Sequence, residues 1–301
     1  ISSGAFEWQG IPQLRLTSQL NYKYGKSTND QYLPQKYTQV GTENRGRGVI
    51  GNTENQNFVS ETFANYSQMF GKHEVGAMVG HSYEWYQYRD SYLTANGFVN
   101  EALGNENMGA GEKANNIISN GFSKSKLVSG MARLNYTYDN KYLLTATFRA
   151  DGSSRFAKKK WGYFPSIAAA WTLSNEDFMK DVSSVQDIKL RASYGIVGSQ
   201  AISPYATMGL MSATAYNFGT NSNFTGYWAN DIATPELTWE KTKQFDLGLE
   251  FSLFDRRLNF SVDYFYKRTT DALLKRSIPG YVGGNSFWVN DGEISNRGID
   301  L

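Results

Sequence analysis

Hydrophobic and polar residues alternate along most of this chain. Between Tyr142 and Asp151, one face carries Tyr, Leu, Ala, Phe and Ala, and the other carries Leu, Thr, Thr, Arg and Asp. Segment 161–173 repeats the alternation after a short basic loop, with aromatic residues near the ends of its apolar face. A period of two indicates β-strands with one apolar and one polar face. The pattern is typical of a transmembrane β-barrel hairpin, whose apolar face contacts lipid and whose polar face lines a lumen.

The same alternation predicts about ten strands in all. We expect them at 13–24, 58–70, 73–88, 127–138, 142–151, 161–173, 187–198, 243–253 and 258–267, with a last strand after residue 291. The segment SNEDFM, from Ser174, predicts one short helix, because Ser174 or Asn175 can cap it and two acidic residues follow. The predicted fold class is therefore all-β and antiparallel.

The lengths of the predicted connections alternate along the chain. Two-residue turns at 71–72, 139–140 and 255–256 fall at every other connection, on the same side of the sheet as the helical segment at 175–186. The long connections 25–57, 89–124, 199–242 and 271–291 fall on the opposite side, together with 152–160. Outer-membrane barrels have short periplasmic turns and long extracellular loops. We therefore expect a periplasmic helix and a membrane barrel, since a soluble β-sandwich adhesin has no reason to sort its loops.

Composition agrees with this interpretation. The 301 residues include 20 Tyr, 18 Phe and 7 Trp, and the net charge of +2 offers no argument for nucleic-acid binding. Cysteine is absent, which excludes disulfides and thiolate chemistry. The mean hydropathy of −0.51 and the lack of a long apolar run exclude spanning helices. A barrel remains possible, because half of each strand faces a polar lumen.

A family resemblance is carried by long, ordered motifs in the C-terminal half of the chain. They are RADGSSRF, WGYFPS, AWTLSNEDFM, IKLRASYGIVGSQAISPYA, LTWEKTKQFDLGLEF, RLNFSVDYFYKRTTDALL and NDGEISNRGIDL. The chain resembles the SusC/RagA family of TonB-dependent outer-membrane transporters. The resemblance implies a plugged barrel of about 22 strands in the bacterial outer membrane. It also implies TonB-driven import of an oligosaccharide or peptide, with a SusD-like surface lipoprotein as a lid.

Residues 1–301 are then expected to form only part of such a barrel. Ten strands in an open sheet would leave two unpaired edges, and the chain ends at Leu301 within a fresh alternation. We expect the plug and the N-terminal region that couples to TonB to lie outside this chain.

Charged residues on the polar strand faces are expected to face the lumen. They alternate in sign, which favours a solvated or plug-facing ladder over the paired carboxylates of a glycosidase. The predicted lumen-facing residues are Arg149, Asp151, Lys189, Arg191, Asp246, Glu250 and Asp263.

Aromatic residues in two long loops are candidates for contact with substrate or a lid. Aromatic faces among Asn, Ser, Thr and Gly suit sugars or peptides. Packing against one another or against a lidding lipoprotein is the alternative. The candidates are Tyr205, Tyr216, Phe218, Tyr227, Trp228, Phe287 and Trp288.

Catalytic chemistry has little support in the sequence. His73 and His81 lack partners at the spacing of a metal site or triad, and the Gly-rich segment 279–285 lacks the context of a phosphate loop. The basic cluster of Lys158, Lys159, Lys160 and Arg155 suits a solvated loop near lipopolysaccharide phosphates. We predict no catalytic residue, metal or cofactor. The alternative function is a stand-alone outer-membrane barrel with binding or hydrolytic activity at its extracellular loops.

Overall fold

The computed structural model describes residues 1–179, 185–217, 219, 223–254 and 257–301. No helix in these ranges has the length and apolar content needed to cross a membrane. The described residues form one short α-helix, α1 (Gln39–Glu43), and fifteen strands: β1 (Ser2–Ile11), β2 (Leu14–Leu33), β3 (Arg47–Phe70), β4 (His73–Asn96), β5 (Ile117–Tyr138), β6 (Tyr142–Ser153), β7 (Trp161–Thr172), β8 (Val185–Ser199), β9 (Met211–Asn217), β10 (Asn223–Ala229), β11 (Glu240–Leu253), β12 (Leu258–Thr270), β13 (Leu273–Ser277), β14 (Ser286–Asn290) and β15 (Ile294–Asp300).

Eleven of the described strands form one sheet that follows the order of the chain. The order is β1-β2-β3-β4-β5-β6-β7-β8-β11-β12-β15, and the pairs β9–β10 and β13–β14 form two separate hairpins. The registers from β5 to β15 are antiparallel. The all-β, antiparallel prediction is confirmed. The additional strand is β1, in which Gly4 and Gly10 lie in the same alternation as Phe6 and Trp8 and dilute its apolar signal.

The predicted loops 25–57 and 89–124 are wrong in extent, because strands occupy much of both. β2 continues to Leu33 and β3 begins at Arg47, while β4 ends at Asn96 and β5 begins at Ile117. Backbone pairing continues β2 through residues 25–31, which are polar on both faces. In the extensions of the other strands, adjacent apolar residues such as Val49 with Ile50 and Tyr92 with Leu93 fall on opposite faces. Alternation gives no signal in either case.

The chain divides into two compact units. The first comprises Ile1–Gly4, Leu20–Val59 and Glu84–Ser125, and the second comprises Ala5–Gln19, Ser60–Tyr83 and Lys126–Leu301. In the first unit, Ala95, Phe98 and Met108 form a small buried cluster. Helix α1 belongs to the same unit and is capped by Thr38, whose Oγ1 accepts a hydrogen bond of 2.9 Å from the Gly41 amide.

In the second unit, the apolar strand faces are exposed. Phe148, Leu190, Leu247 and Phe260 are 48%, 39%, 42% and 40% exposed. A β-sandwich would bury these side chains between two sheets, so the exposure agrees with a lipid-facing surface. Aromatic pairs lie on this face, with Tyr142 stacked on Trp171 and Phe148 stacked on Tyr163, each at 6.2 Å between ring centroids.

The connections between β5 and β15 fall at two ends of the sheet because the strands are antiparallel. The short-turn end comprises 139–141 and the described residues 173–179, and the long-loop end comprises 154–160, the described residues of 200–239, and 271–293. Turn 71–72 lies beside 139–141, since Lys72 Nζ is 2.7 Å from Asp139 Oδ2. The predicted helical segment consists of 3₁₀ turns at Leu173–Asn175 and Asp177–Met179. The predicted turn at 255–256 lies outside the described residues.

Glu176 joins two connections at the short-turn end. Its Oε1 accepts hydrogen bonds from the Tyr142 hydroxyl at 2.7 Å and from Trp171 Nε1 at 3.0 Å. Its Oε2 lies 3.0 Å from Lys141 Nζ. These hydrogen bonds, the one from Tyr142 first, lower the pKa of the Glu176 carboxyl below its ordinary value of 4.5.

A pH-dependent contribution to stability follows from the Glu176 contacts. A lowered pKa in the folded state stabilises the fold above the ordinary carboxyl pKa, and this stabilisation is lost as pH falls through the folded pKa. We expect Glu176→Gln to lower the free energy of unfolding at neutral pH, and this difference from the wild type to shrink as pH falls below the ordinary carboxyl pKa of 4.5. Tryptophan fluorescence during urea unfolding of the detergent-solubilised protein measures the free energy of unfolding of both proteins at each pH. The exposed Glu106→Gln serves as control, and a difference that does not vary with pH contradicts the prediction.

Candidate functional site

A network of ion pairs crosses three strands on the polar face of the second unit. Arg191 on β8 pairs through its two Nη atoms with Asp263 on β12 at 2.7 Å and with Glu250 on β11 at 3.1 Å. Asp263 accepts two hydrogen bonds from the same guanidinium nitrogen, at 2.8 and 2.7 Å. One guanidinium therefore forms ion pairs with carboxylates on two neighbouring strands.

Gly248 provides the space for this network. It is the cross-strand partner of both Arg191 and Asp263. A Cβ at this position would lie 2.2 Å from Asp263 Oδ1 and 2.4 Å from Arg191 Nε. The arginine can reach across β11 only because that strand has no side chain there.

Five of the predicted lumen-facing residues border one cleft of about 650 Å³ on this face. Asp246 accepts hydrogen bonds from Gln244 Nε2 at 2.7 Å and Ser193 Oγ at 3.1 Å. Alanines 168–170 of β7 also line the cleft, and Phe265, Lys267 and Asp300 border it from β12 and β15. The five residues are Lys189, Arg191, Asp246, Glu250 and Asp263.

The other two predicted lumen-facing residues lie together towards the long-loop end. Arg149 Nε donates to both carboxylate oxygens of Asp151, at 2.9 and 2.8 Å, and its Nη2 donates to Ser129 Oγ at 3.0 Å. Asp151 and Ser129 are buried. Arg149 and Asp151 also border a second cleft, with Phe164 and Trp239 among its lining residues. A lumen-facing role for all seven residues stays a prediction.

The segment RADGSSRF anchors the long-loop end. Arg155 Nη1 donates to the backbone carbonyls of Ile202 at 2.9 Å and Gln200 at 3.3 Å. Phe156 is fully buried in a cluster with Phe164, Ile202, Leu237, Trp239 and Leu273. Trp239 Nε1 also donates to the carbonyl of Lys160 at 3.0 Å. The motif therefore fixes the base of loop 200–239 rather than performing chemistry.

Ser129, Trp239 and Gly248 are site residues that the sequence analysis missed. Trp239 belongs to the motif LTWEK, which in the sequence was evidence only for the family resemblance. Gly248 interrupts the polar face of β11 at the row shared by Arg191 and Asp263, and this interruption is the signal that could have revealed it.

Three of the predicted loop aromatics lie exposed on the hairpin β9–β10. They are Tyr216, Tyr227 and Trp228. Antiparallel register pairs Tyr216 with Phe224, Gly226 with Thr214, and Trp228 with Ser212. Cross-strand partners share a face, so Tyr216, Phe224 and Trp228 lie on one face, and Tyr227 lies on the other.

The remaining aromatic candidates differ in their surroundings. Trp288 packs against the buried cluster around Trp239, which agrees with a structural role. Phe287 and Tyr205 are half-buried, and Tyr205 has a positive φ of 67°. Phe218 lies outside the described residues. Contact of any of these side chains with substrate stays a prediction.

Loop charges at the long-loop end are paired with one another. Lys158 and Lys159 of the basic cluster lie 2.7 and 3.6 Å from the Glu236 carboxylate. Asp231 lies 3.3 Å from Lys275 Nζ and also accepts a hydrogen bond from Ser286. That hydrogen bond first, and Lys275 after it, lower the pKa of the Asp231 carboxyl.

In the described part of the chain, no group of three or more His, Asp or Glu side chains converges as a metal site would require. His73 Nδ1 lies 2.7 Å from the Tyr136 hydroxyl, and its ring is 4.9 Å from that of Tyr138.

A test of the charge network uses Gly248→Ala. The new methyl group must displace Arg191 or Asp263, so we expect a loss of about 1 kcal/mol of unfolding free energy, the upper range for a partly exposed ion pair. The loss should be smaller in an Arg191→Met background. Denaturant unfolding in detergent measures the loss in each background. Gly130→Ala is the matched control, because no atom lies within 4 Å of its added Cβ. Equal losses at the two glycines argue against the network.

Comparisons with known proteins agree on one family. The model of the TonB-dependent receptor-like β-barrel matches residues 2–301. The TonB-dependent receptor P3 of Formosa agariphila is 38% identical over 246 residues, which are 81% of this chain and 24% of that receptor. The TonB-dependent receptor SusC of Bacteroides thetaiotaomicron is 28% identical over 304 residues, covering 98% of this chain and 29% of SusC. The chain thus spans less than a third of the length of either relative.

Solved structures show the same fold. The structure described as the RagAB peptide transporter matches with a TM-score of 0.89 and 24% identity, over 99% of this chain and 33% of that one. The ferripyoverdine receptor of Pseudomonas aeruginosa matches with a TM-score of 0.53 and 12% identity, over 95% of this chain and 35% of the receptor. With a family model that covers nearly every residue, the chain belongs to the TonB-dependent receptor-like β-barrel family.

Proposed function

We propose that this chain is a part of the barrel of a longer TonB-dependent importer, which carries an oligosaccharide or a peptide across the bacterial outer membrane. The observation that carries the proposal is the division of the sheet in the second unit into two faces. One face exposes Phe148, Leu190, Leu247 and Phe260, and the other holds the ion pairs around Arg191. A strand that separates lipid from a polar lumen requires such faces.

The two ends of the sheet suggest an orientation in the membrane. Short turns of outer-membrane barrels face the periplasm and long loops face outward. The turns at 139–141 and 173–184 would then be periplasmic, and the loops 200–239 and 271–293 extracellular. The lysines at 158–160 would lie within reach of lipopolysaccharide phosphates.

The partners of the importer follow from the family and its relatives. TonB would act through the plug and N-terminal region, which we place outside residues 1–301. The similarity to SusC and to the RagAB peptide transporter supports a SusD-like lipoprotein as the lid. The exposed hairpin β9–β10 and the neighbouring loop 271–293 would offer the surface nearest to such a lid.

One of these relatives is described by its cargo. RagAB is described as a peptide transporter, and SusC is a TonB-dependent receptor with no substrate in its name. In the proposal, the ion-paired wall around Arg191 shapes a polar passage and holds the plug through hydrogen bonds.

The lipid-facing assignment predicts a strong asymmetry between the faces of the sheet. In the full-length receptor, Leu247→Arg places a charge in hydrocarbon and should cost about 2–4 kcal/mol of unfolding free energy near the bilayer midplane. Ser261→Arg is the matched control, because Ser261 is the cross-strand partner of Glu250 on the polar face. Urea unfolding in lipid vesicles measures both variants. Equal costs on the two faces would refute the assignment.

Import itself is tested in cells of the source bacterium. We expect uptake of either fluorescent neutral oligosaccharides or fluorescent short peptides to fall to background when the gene for the full-length receptor is deleted, and to return on complementation. A protonophore should abolish the same uptake, because TonB draws on the proton gradient. Uptake of both probes that persists after deletion, or that ignores the protonophore, would reject the proposal.

A further inference from the structure

The hairpin β9–β10 belongs to a segment without charged residues. From Gln200 to Asn230 the sequence contains no Asp, Glu, Lys, Arg or His, in a chain in which charged residues make up 19%. The same segment contains six aromatic residues among Asn, Ser, Thr and Gly. A loop exposed to water usually carries charges, so this composition indicates a binding surface.

One face of the hairpin forms an aromatic platform, which we define as Tyr216, Phe224 and Trp228 with Ser212 and Thr214. The three rings are 55%, 54% and 41% exposed. Gly226 lies between Phe224 and Trp228, and the atoms nearest to its would-be Cβ are 3.7 Å or more away. The platform is therefore open at its centre, with hydroxyl groups beside the rings.

The length of the platform suits an extended ligand. Phe224 and Trp228 are four residues apart on one strand, a separation of about 14 Å. A ligand that covers both rings must be longer than one sugar ring. The cross-strand pair of Tyr216 and Phe224 broadens one end of the surface.

The hairpin is attached to its neighbours by backbone hydrogen bonds. The Asn230 amide donates to the Leu210 carbonyl at 2.8 Å, which closes the base of the hairpin. The Ile232 amide then donates to Ser286 at 3.1 Å, and the Asn285 amide donates to Asn230 at 2.9 Å. These bonds couple the platform to β14 and give it a defined position.

Charged side chains of the flanking segments are held by partners. Asp231 is paired with Lys275, Glu236 with Lys158, and Arg155 donates to backbone carbonyls. A peptide carries ionised termini, and recognition of peptides commonly uses fixed charges or backbone amides directed at those termini. A neutral glycan instead offers apolar ring faces and hydroxyl groups, which match aromatic rings flanked by hydroxyls.

We infer that the aromatic platform binds a neutral oligosaccharide, which it presents to the lumen as the first extracellular contact. The inference rests on the proposed import function and selects one of its two cargo classes.

Binding by the purified full-length receptor tests the inference. The probes are fluorescently labelled neutral hexasaccharides of glucose, mannose and galactose, and a pool of hexapeptides, measured by fluorescence anisotropy. We expect at least one hexasaccharide to bind, and Trp228→Ala and Tyr216→Ala each to weaken binding about tenfold. Trp228→Phe should retain most of the affinity, because a ring remains. Met211→Ala on the opposite face and Tyr281→Ala, both exposed, are the controls and should bind as the wild type does.

Each contrary result has a distinct meaning. Absence of binding by all hexasaccharides, or binding that the platform variants leave unchanged, overturns the inference. Binding of the hexapeptide pool that depends on Trp228 also overturns the inference. So does a platform variant that keeps hexasaccharide binding and loses only a co-purifying lipoprotein. Unchanged thermal unfolding of each variant excludes misfolding as the cause.

Uptake measurements separate this inference from the proposed function. Protonophore-sensitive uptake of hexapeptides alone would retain the import function and overturn the glycan assignment. Platform-dependent hexasaccharide binding without energised uptake of any probe would support the assignment and overturn the import function.

Discussion

The backbone ladder between strands that follow one another in the chain is the interaction on which the rest of the structure depends. Within hydrocarbon, water cannot satisfy a backbone amide or carbonyl, so every such group must pair with a neighbouring strand. The antiparallel registers from β5 to β15 supply these pairs for strands of 12 residues and more, such as β6, β7 and β11. Register also decides chemistry, because a shift of one residue would move Leu247 to the polar face and Asp246 to the apolar face.

Fixed registers are also what allow charges to lie on the polar face. Arg191, Gly248 and Asp263 form one row across three strands, and the arginine spans the row only over a glycine. The cleft on this face is lined by Lys189, Arg191 and Lys267 together with Asp246, Glu250, Asp263 and Asp300. Positive and negative side chains are nearly balanced there, so this face is polar without a strong net field.

Alternation in the sequence predicted the central strands closely because each of them has one apolar face. β6 and β7 begin at the predicted Tyr142 and Trp161, and β12 begins at the predicted Leu258. The predicted strands ended too early where both faces are polar, as in β2 beyond Tyr24, because the side chains there do not alternate between apolar and polar. The hairpin β9–β10 was missed for a similar reason. Its apolar residues lie on both faces, as Tyr227 and Trp228 do, and they mask the period of two.

Site residues likewise divide into those that alternation could place and those that only the folded structure reveals. Charged positions such as Lys189 and Glu250 could be placed on the polar face from alternation alone, and the register makes them cross-strand partners. The bridging of two carboxylates by Arg191 could not be predicted, because it depends on the strand order and on a missing side chain in β11. Aromatic loop residues could be identified but not sorted. Only tertiary packing distinguishes Trp288, against the cluster around Trp239, from Trp228 on an open hairpin.

Isolated two-stranded hairpins are marginally stable in water, so the exposed hairpin β9–β10 needs support from elsewhere. The buried cluster of Phe156, Ile202, Leu237 and Trp239 provides it at the base of the loop, and Arg155 ties the loop backbone to the same base. The rigid part of the loop therefore lies where the motif RADGSSRF meets β11. The described outer part of the loop is uncharged and exposes Tyr216, Phe224 and Trp228, whereas the buried contacts lie at its base. Binding residues commonly lie on loops held by such a scaffold.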